Sequence, residues 1–253
     1  MSDFSLQIFK SITSNPEYNY YEIKINKLTN CINIILSNGI DNQKTKIDIN
    51  LIDVKELLNG LLPDKLKKLT IDGSRYTKIS QFSNLPSKLK KLKLISFNSK
   101  LDNLPIELKV LELHGNCSEC CLDYLPSSLI TLFIQSNIKT SLDNLPSTLV
   151  NLFLLSEFTD DLKNLPIGLK FLHINSMSRI KVVLPKHIEC IMYPENNNYL
   201  RRTLLKIYPK ILHNEYSYKK SIDLYNDFEF DNHFEFNNSI NNYCNGSEED
   251  ELL

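Results

Sequence analysis

Alanine and tryptophan are absent from this chain of 253 residues, glycine occurs only 6 times and proline only 10. The absence of alanine, the strongest helix former, argues against a helix bundle or an alanine-rich helical solenoid. Neither a glycine-rich phosphate loop nor a Gly-x-Ser-x-Gly elbow is present, so the commonest nucleotide-binding and serine-hydrolase signatures are missing. Charge of either sign is not in excess: 29 Lys and Arg face 30 Asp and Glu, a net charge of -1. That balance gives no global reason to expect nucleic acid or an anionic membrane as partner. Apolar runs are short, as at Ile32–Leu36, broken by Asn33, and none approaches the length that spans a bilayer. The start, Met1-Ser2-Asp3-Phe4, has neither the positive nor the apolar region of a signal peptide. A cytoplasmic location is therefore expected, with the 6 cysteines as free thiols. Hydrophobic residues at 42% still suffice for a real core.

The few prolines carry the strongest signal. Seven of them, at 63, 86, 105, 126, 146, 166 and 185, are separated by 23, 19, 21, 20, 20 and 19 residues. Each opens the same phrase, Leu-Pro-x-x-Leu-x-x-Leu-x-Leu. The copies at Leu85–Leu94 and Leu145–Leu154 are complete, and the last, from Leu184 to Tyr193, has degenerated. A leucine also precedes several copies, as in Leu101-Asp102-Asn103-Leu104 and Leu142-Asp143-Asn144-Leu145. Leu-x-x-Leu-x-Leu ends in the period-2 alternation of a strand with one buried face. A unit of about 20 residues is too short for a strand plus an average helix. Proline, which lacks an N–H and disfavours helix before it, belongs in the extended return segment. One unit cannot bury its leucines alone, so the units stack as parallel strands around a continuous leucine interior. The expected fold is a repeat solenoid with one strand per repeat and little regular helix.

This pattern resembles leucine-rich repeats of the short type, near Leu-x-x-Leu-x-Leu-x-x-Asn. Asn116 and Asn137 meet the asparagine position; Ser74, Phe97, Glu157 and Met177 stand there elsewhere. The Leu-Pro-x-x-Leu-x-x-Leu phrase is similar to the FNIP repeats of amoebal and giant-virus proteins, and Phe97-Asn98 followed by Leu101 matches their Phe-Asn start. The 29 asparagines fit AT-rich genomes of that kind. The resemblance implies a binding scaffold and no chemistry of its own.

The expected organisation is a β-rich N-terminal cap over 1–57, about seven Leu-Pro repeats over 58–194, a C-terminal flank over 195–240 and an acidic disordered tail over 241–253. Strand-like alternation occurs at Tyr21–Ile25, Ile32–Ile34 and Ile47–Ile49, with Asn38-Gly39 as a turn signal. Val54–Leu61 reads as a short helix. Tyr199–Leu212 reads as an amphipathic helix closing the solenoid, with Arg201, Arg202, Lys206 and Lys210 on its solvated side. Phe228-Glu229-Phe230 and Phe234-Glu235-Phe236 alternate around Asp231-Asn232-His233, as a hairpin or as a segment that orders on a partner.

In each repeat, the residues flanking the fourth-position leucine point away from the leucine core and line the other face of the sheet. One column reads Thr70, Lys93, Glu112, Phe133, Phe153, His173, Met192; the column before it reads Lys68, Lys91, Val110, Thr131, Asn151, Phe171, Cys190. This face is expected to be open, basic at one end and aromatic at the other. The partner-binding residues it nominates are Lys68, Lys91, Lys93, Phe133, Phe153, Leu155, Phe171 and His173, with a protein as partner. No cofactor is expected and no catalytic constellation is found. Two other roles stand beside this one. A ubiquitin-ligase substrate adaptor needs a ligase-recruiting element before the repeats, favoured by a helical rather than β-rich N-terminus. A zinc-binding protein or thiol enzyme would centre on His114, Cys117, Cys120 and Cys121, where Cys-x-x-Cys is one half-site without a second. A segment of the flank at 213–240 folding back over the aromatic columns is the alternative to an open face.

Overall fold

A computed structural model describes residues 20–26, 31–37, 44–50, 62, 64–72, 85–97, 100–115, 117, 120–136, 141–158, 162–177, 184–194, 198–207 and 212–216. The repeats supply seven strands: β4 (Lys68–Asp72), β5 (Lys91–Ile95), β6 (Val110–Gly115), β7 (Thr131–Ser136), β8 (Asn151–Phe158), β9 (Phe171–Met177) and β10 (Cys190–Pro194). Each pairs in parallel with the next, in chain order. The solenoid expected from the proline period is therefore present, one strand per repeat.

The Leu-Pro phrase has a local cause. In six copies the N–H of the leucine or isoleucine three residues after proline donates to the proline carbonyl, as in Leu89 to Pro86 and Leu149 to Pro146, both 3.0 Å. Proline needs no N–H here because it opens the turn and only accepts. The next two N–H groups then donate to one carbonyl of the preceding repeat: Lys109 and Val110 to Lys90, Val150 and Asn151 to Ile130. Each strand is thereby pinned to its neighbour before the ladder begins, which sets the same register in every repeat. Gly168 meets a steric demand of this turn, since a Cβ there would lie 2.2 Å from the Ser147 carbonyl oxygen.

Leucines at the repeated positions form one core with under 10% exposure throughout, including Leu89, Leu92, Leu94, Leu108, Leu111, Leu113, Leu149, Leu152 and Leu154. Burying each such side chain contributes about 2 kcal/mol. Leu101, Leu122, Leu142 and Leu162, the leucines that precede each return segment, close the far side.

Both ends of the sheet are extended. β1 (Tyr20–Asn26), β2 (Cys31–Ser37) and β3 (Lys44–Asn50) form an antiparallel meander, and β1 lies parallel to β4. At the other end α1 (Asn198–Ile207) is followed by β11 (Leu212–Tyr216), parallel to β10. The helix is shorter than the expected Tyr199–Leu212: Leu204 packs into the leucine core, Leu205 is exposed, and Leu212 belongs to a strand. Pro209 explains the early stop, because proline disfavours helix at the residue before it. Arg201, Arg202 and Lys206 are exposed as expected. The Val54–Leu61 helix, the Asn38-Gly39 turn, Asn116, Asn137 and the Phe228–Phe236 segment fall outside the described residues. Among the described residues no helix is long and apolar enough to cross a membrane.

Candidate interaction face of the sheet

The two columns form in the expected register. Lys68, Lys91, Val110, Thr131, Asn151, Phe171 and Cys190 are successive strand partners, as are Thr70, Lys93, Glu112, Phe133, Phe153, His173 and Met192. β1 adds Glu22 and Lys24 at one end, and β11 adds Leu212 and Asn214 at the other. The structure thus brings together Lys68, Lys91, Lys93, Phe133, Phe153, Phe171 and His173, with Leu155 packed beside the rings.

The face is not open over the aromatic half. Phe133 is 1% exposed, Phe153 and Phe171 4%, and His173 3%. With Val110, Cys190 and Met192 these rings make a second buried cluster, separate from the leucine core. The expectation of exposed rings is corrected on this point. Alternation assigns a side chain to a face, but it carries no information on whether that face is covered. In β5 burial alternates, with Lys91 and Lys93 partly accessible, whereas in β7 four consecutive residues from Thr131 to Ile134 are buried.

The rings pack closely. Phe133 and Phe153 stack with centroids 4.1 Å apart, and Phe153 meets Phe171 at 5.3 Å and His173 at 5.7 Å, both tilted. Equal positions on parallel neighbours sit about 4.8 Å apart, a spacing that suits offset stacking. Burial among these rings holds the His173 imidazole far below its ordinary value, at about 3. It is neutral at physiological pH, because desolvation penalises the charged form. Beside it, Asn151 Nδ2 donates to Thr131 Oγ1 at 3.2 Å, so this buried polar pair satisfies itself in part.

The other end is electrostatic. Glu112, 2% exposed, lies 2.6 Å from Lys91 Nζ, 3.5 Å from Lys93 Nζ and 3.3 Å from His114 Nε2. His114 Nδ1 in turn meets Gln135 Oε1 at 2.8 Å. A carboxylate so buried is tolerable because cations from the neighbouring strand face it. Glu112 was not among the nominated residues. Its signal was the register itself, which sets it opposite Lys93.

Sequence reasoning also missed a ladder on the return segments. Asn144 Nδ2 donates to Asp123 Oδ1 at 2.9 Å, and Asn164 Nδ2 to Asp143 Oδ1 at 3.0 Å. At these two steps the Asn of one copy bridges to the Asp of the copy before it, which gives part of the asparagine excess a mechanism.

The cysteine group does not assemble as a metal site. The His114 ring turns to Glu112 and Gln135, while Cys117 donates to the His114 carbonyl at 3.4 Å and Cys120 to the Phe97 carbonyl at 3.4 Å. Both thiols are buried, and Cys121 instead donates to Asp123 Oδ2 at 3.1 Å. The bond from Cys120 holds the Cys117 thiol below its ordinary value, at about 7, against the opposing effect of burial. His187 meets the Pro166 carbonyl at 2.9 Å and lies apart from these cysteines. Among the described residues no group of three or more His, Cys, Asp or Glu is placed to hold a metal ion.

Residues 55–96 match the family model of the FNIP repeat. No curated protein matches the chain in sequence. A solved structure described as CroV588, a novel circular LRR protein, is 24% identical, with a TM-score of 0.43; the match covers 56% of this chain and 22% of that one. This chain therefore spans under a quarter of that protein's length. The matched FNIP repeat contains the first two Leu-Pro phrases, and the same phrase recurs to residue 194, so over its repeats the chain is similar to leucine-rich-repeat proteins of the FNIP-repeat type.

Proposed function

We propose that this chain is a non-catalytic interaction scaffold that holds a protein partner through the strand face outside its leucine core. The observation that carries this reading is the register, which gathers Lys68, Lys91 and Lys93 at one end of the face and Phe133, Phe153 and Phe171 at the other. Basic side chains steer an acidic partner, and clustered rings supply the apolar centre that interfaces use. Lys91 and Lys93 keep 23% and 26% of their side-chain surface accessible, so a partner engages the basic end first.

An adaptor role for a ubiquitin ligase has less support. The region before the repeats, where a helical recruiting element would sit, supplies strands β1, β2 and β3 that extend the sheet. The thiol-enzyme reading is disfavoured by the burial of Cys117 and Cys120, since a nucleophile must reach its substrate.

Partner capture with the full chain tests the scaffold. Proteins retained by the wild type should be lost with Lys68→Glu and Lys93→Glu, and kept with Ile106→Ser and Ile167→Ser on the exposed turns. A capture profile identical in both variants, with each folded by circular dichroism, would count against the strand face as the binding surface.

A further inference from the structure

The return turns of the first three repeats carry a rim of lysines that the turns themselves do not need. Counted from proline, the second position reads Lys65, Lys88 and Glu107, then Ser128 and Thr148, and His187 in the last copy. In the later copies this side chain ties its turn to the repeat before. Ser128 Oγ donates to the Leu108 carbonyl at 2.7 Å, Thr148 Oγ1 to the Ser127 and Leu129 carbonyls at 2.7 and 3.1 Å, and His187 meets the Pro166 carbonyl. Lys65 and Lys88 are exposed and make no such bond among the described residues. The fourth position reads Lys67, Lys90 and Lys109, then Ile130 and Val150. The N–H of Lys90 donates to the Lys67 carbonyl and that of Lys109 to the Lys90 carbonyl, both at 2.9 Å. These three half-buried lysines therefore stand in one column at about the strand spacing of 4.8 Å.

Like charges that close repel one another. Against the five lysines these turns set only two acids, Asp64 and Glu107. Glu107 touches Lys90, and that contact, aided by the fields of Lys67 and Lys88, holds its carboxyl below the ordinary value. The rim thus already draws in one carboxylate, while among the described residues Lys65, Lys67, Lys88 and Lys109 join no ion pair. We propose that this rim, Lys65, Lys67, Lys88, Lys90 and Lys109, is a docking surface for an acidic segment of a partner protein, whose carboxylates pair with the two columns.

The dimensions suit that partner. Three repeats span about 10 Å, the reach of roughly three residues of extended chain. Nucleic acid fits less well. The turn residues 64–67, 87–90 and 106–109 include no aromatic ring on which a base could stack. Glu107 also stands among the lysines, where a phosphate chain would have to pass. The rim is a different surface from the strand face, and its role does not rest on the scaffold reading proposed above.

Fluorescence anisotropy of a labelled hexaglutamate peptide with the full chain tests the rim. Wild type is expected to bind the peptide. Lys67→Gln with Lys90→Gln and Lys109→Gln is expected to weaken binding about tenfold, since one exposed pair is worth up to roughly fivefold in affinity. Lys170→Gln with Lys186→Gln removes charge from later turns, farther off than the screening length of about 10 Å, and is expected to stay within about twofold of wild type. Failure of wild type to bind, an equal loss in both variants, or tighter binding of an oligothymidylate than of the peptide overturns the inference.

Lys68→Gln with Lys93→Gln separates the rim from the strand face. If that variant alone loses the peptide, acidic segments use the strand face and the rim fails. If the rim variant alone loses it, the rim stands whatever becomes of the strand face. Should the rim variant unfold by circular dichroism, carbodiimide cross-linking of the peptide to unsubstituted chain decides. Links at Lys65, Lys67, Lys88, Lys90 or Lys109 support the rim, and links confined to other lysines overturn it.

Discussion

Phe133 and Phe153 lie 20 residues apart in sequence and stack at 4.1 Å with their planes 15° apart. The pair exists because the repeat length and the strand register agree. Among the described residues six turns are closed onto their own proline, and the strand that follows is pinned to a carbonyl of the repeat before. The aromatic column is therefore a consequence of backbone chemistry, and it builds a second buried layer on the face opposite the leucines.

The first prediction concerns that layer. Phe153→Ala removes a ring 4% exposed that touches Phe133, Phe171 and His173. A loss of about 3 kcal/mol is expected in urea unfolding. Ile106→Ser, at a turn position 79% exposed, is expected to change stability by less than about 0.5 kcal/mol.

The charged end responds to pairing. Glu112→Ala leaves Lys91, Lys93 and His114 without their shared carboxylate. Because both lysines are partly hydrated, the expected cost is about 2 kcal/mol, below that of a fully buried pair. The double variant Glu112→Leu with Lys91→Met is expected to recover most of it, as measured by a double-mutant cycle.

His173 makes stability depend on pH. Its folded value, about 3, lies below the ordinary 6.5, so the unfolded chain binds the proton first. The contribution is complete above about pH 6.5 and is lost as pH falls toward 3. From pH 7 to pH 5 wild type is expected to lose about 2 kcal/mol more than a His173→Phe variant, read from paired unfolding curves. Parallel pH profiles would contradict it.

Gly168→Ala tests the return turn. The added Cβ would lie 2.2 Å from the Ser147 carbonyl oxygen, so one repeat must shift from the next. A loss of about 2 kcal/mol is expected by thermal unfolding, without loss of the strand signal in circular dichroism.

Much of this fold was legible in the prolines. Pro86, Pro105, Pro126, Pro146, Pro166 and Pro185 mark turns that the structure closes with the same hydrogen bond, and the strand columns follow from the leucine spacing. The candidate face was legible as a list of residues and not as a surface, because a period of two says which side Phe133 takes and nothing of what lies over it. The Asn144–Asp123 bond was invisible for a related reason: the excess of asparagine hid the few that recur at one repeat position. The end of α1 was missed because Leu205, Ile207, Ile211 and Leu212 continue a helical pattern past Pro209, whose restriction on the backbone prevails.

Hydroxyl-radical footprinting of the full chain at neutral pH tests the central claim, a sheet whose aromatic half is buried on both faces. Met192 and Phe153, 2% and 4% exposed, are expected to oxidise at least ten times more slowly, relative to their intrinsic reactivities, than Tyr124, which is 71% exposed. Comparable corrected rates at Met192, Phe153 and Tyr124 would contradict the account, because the strand face would then be open to water.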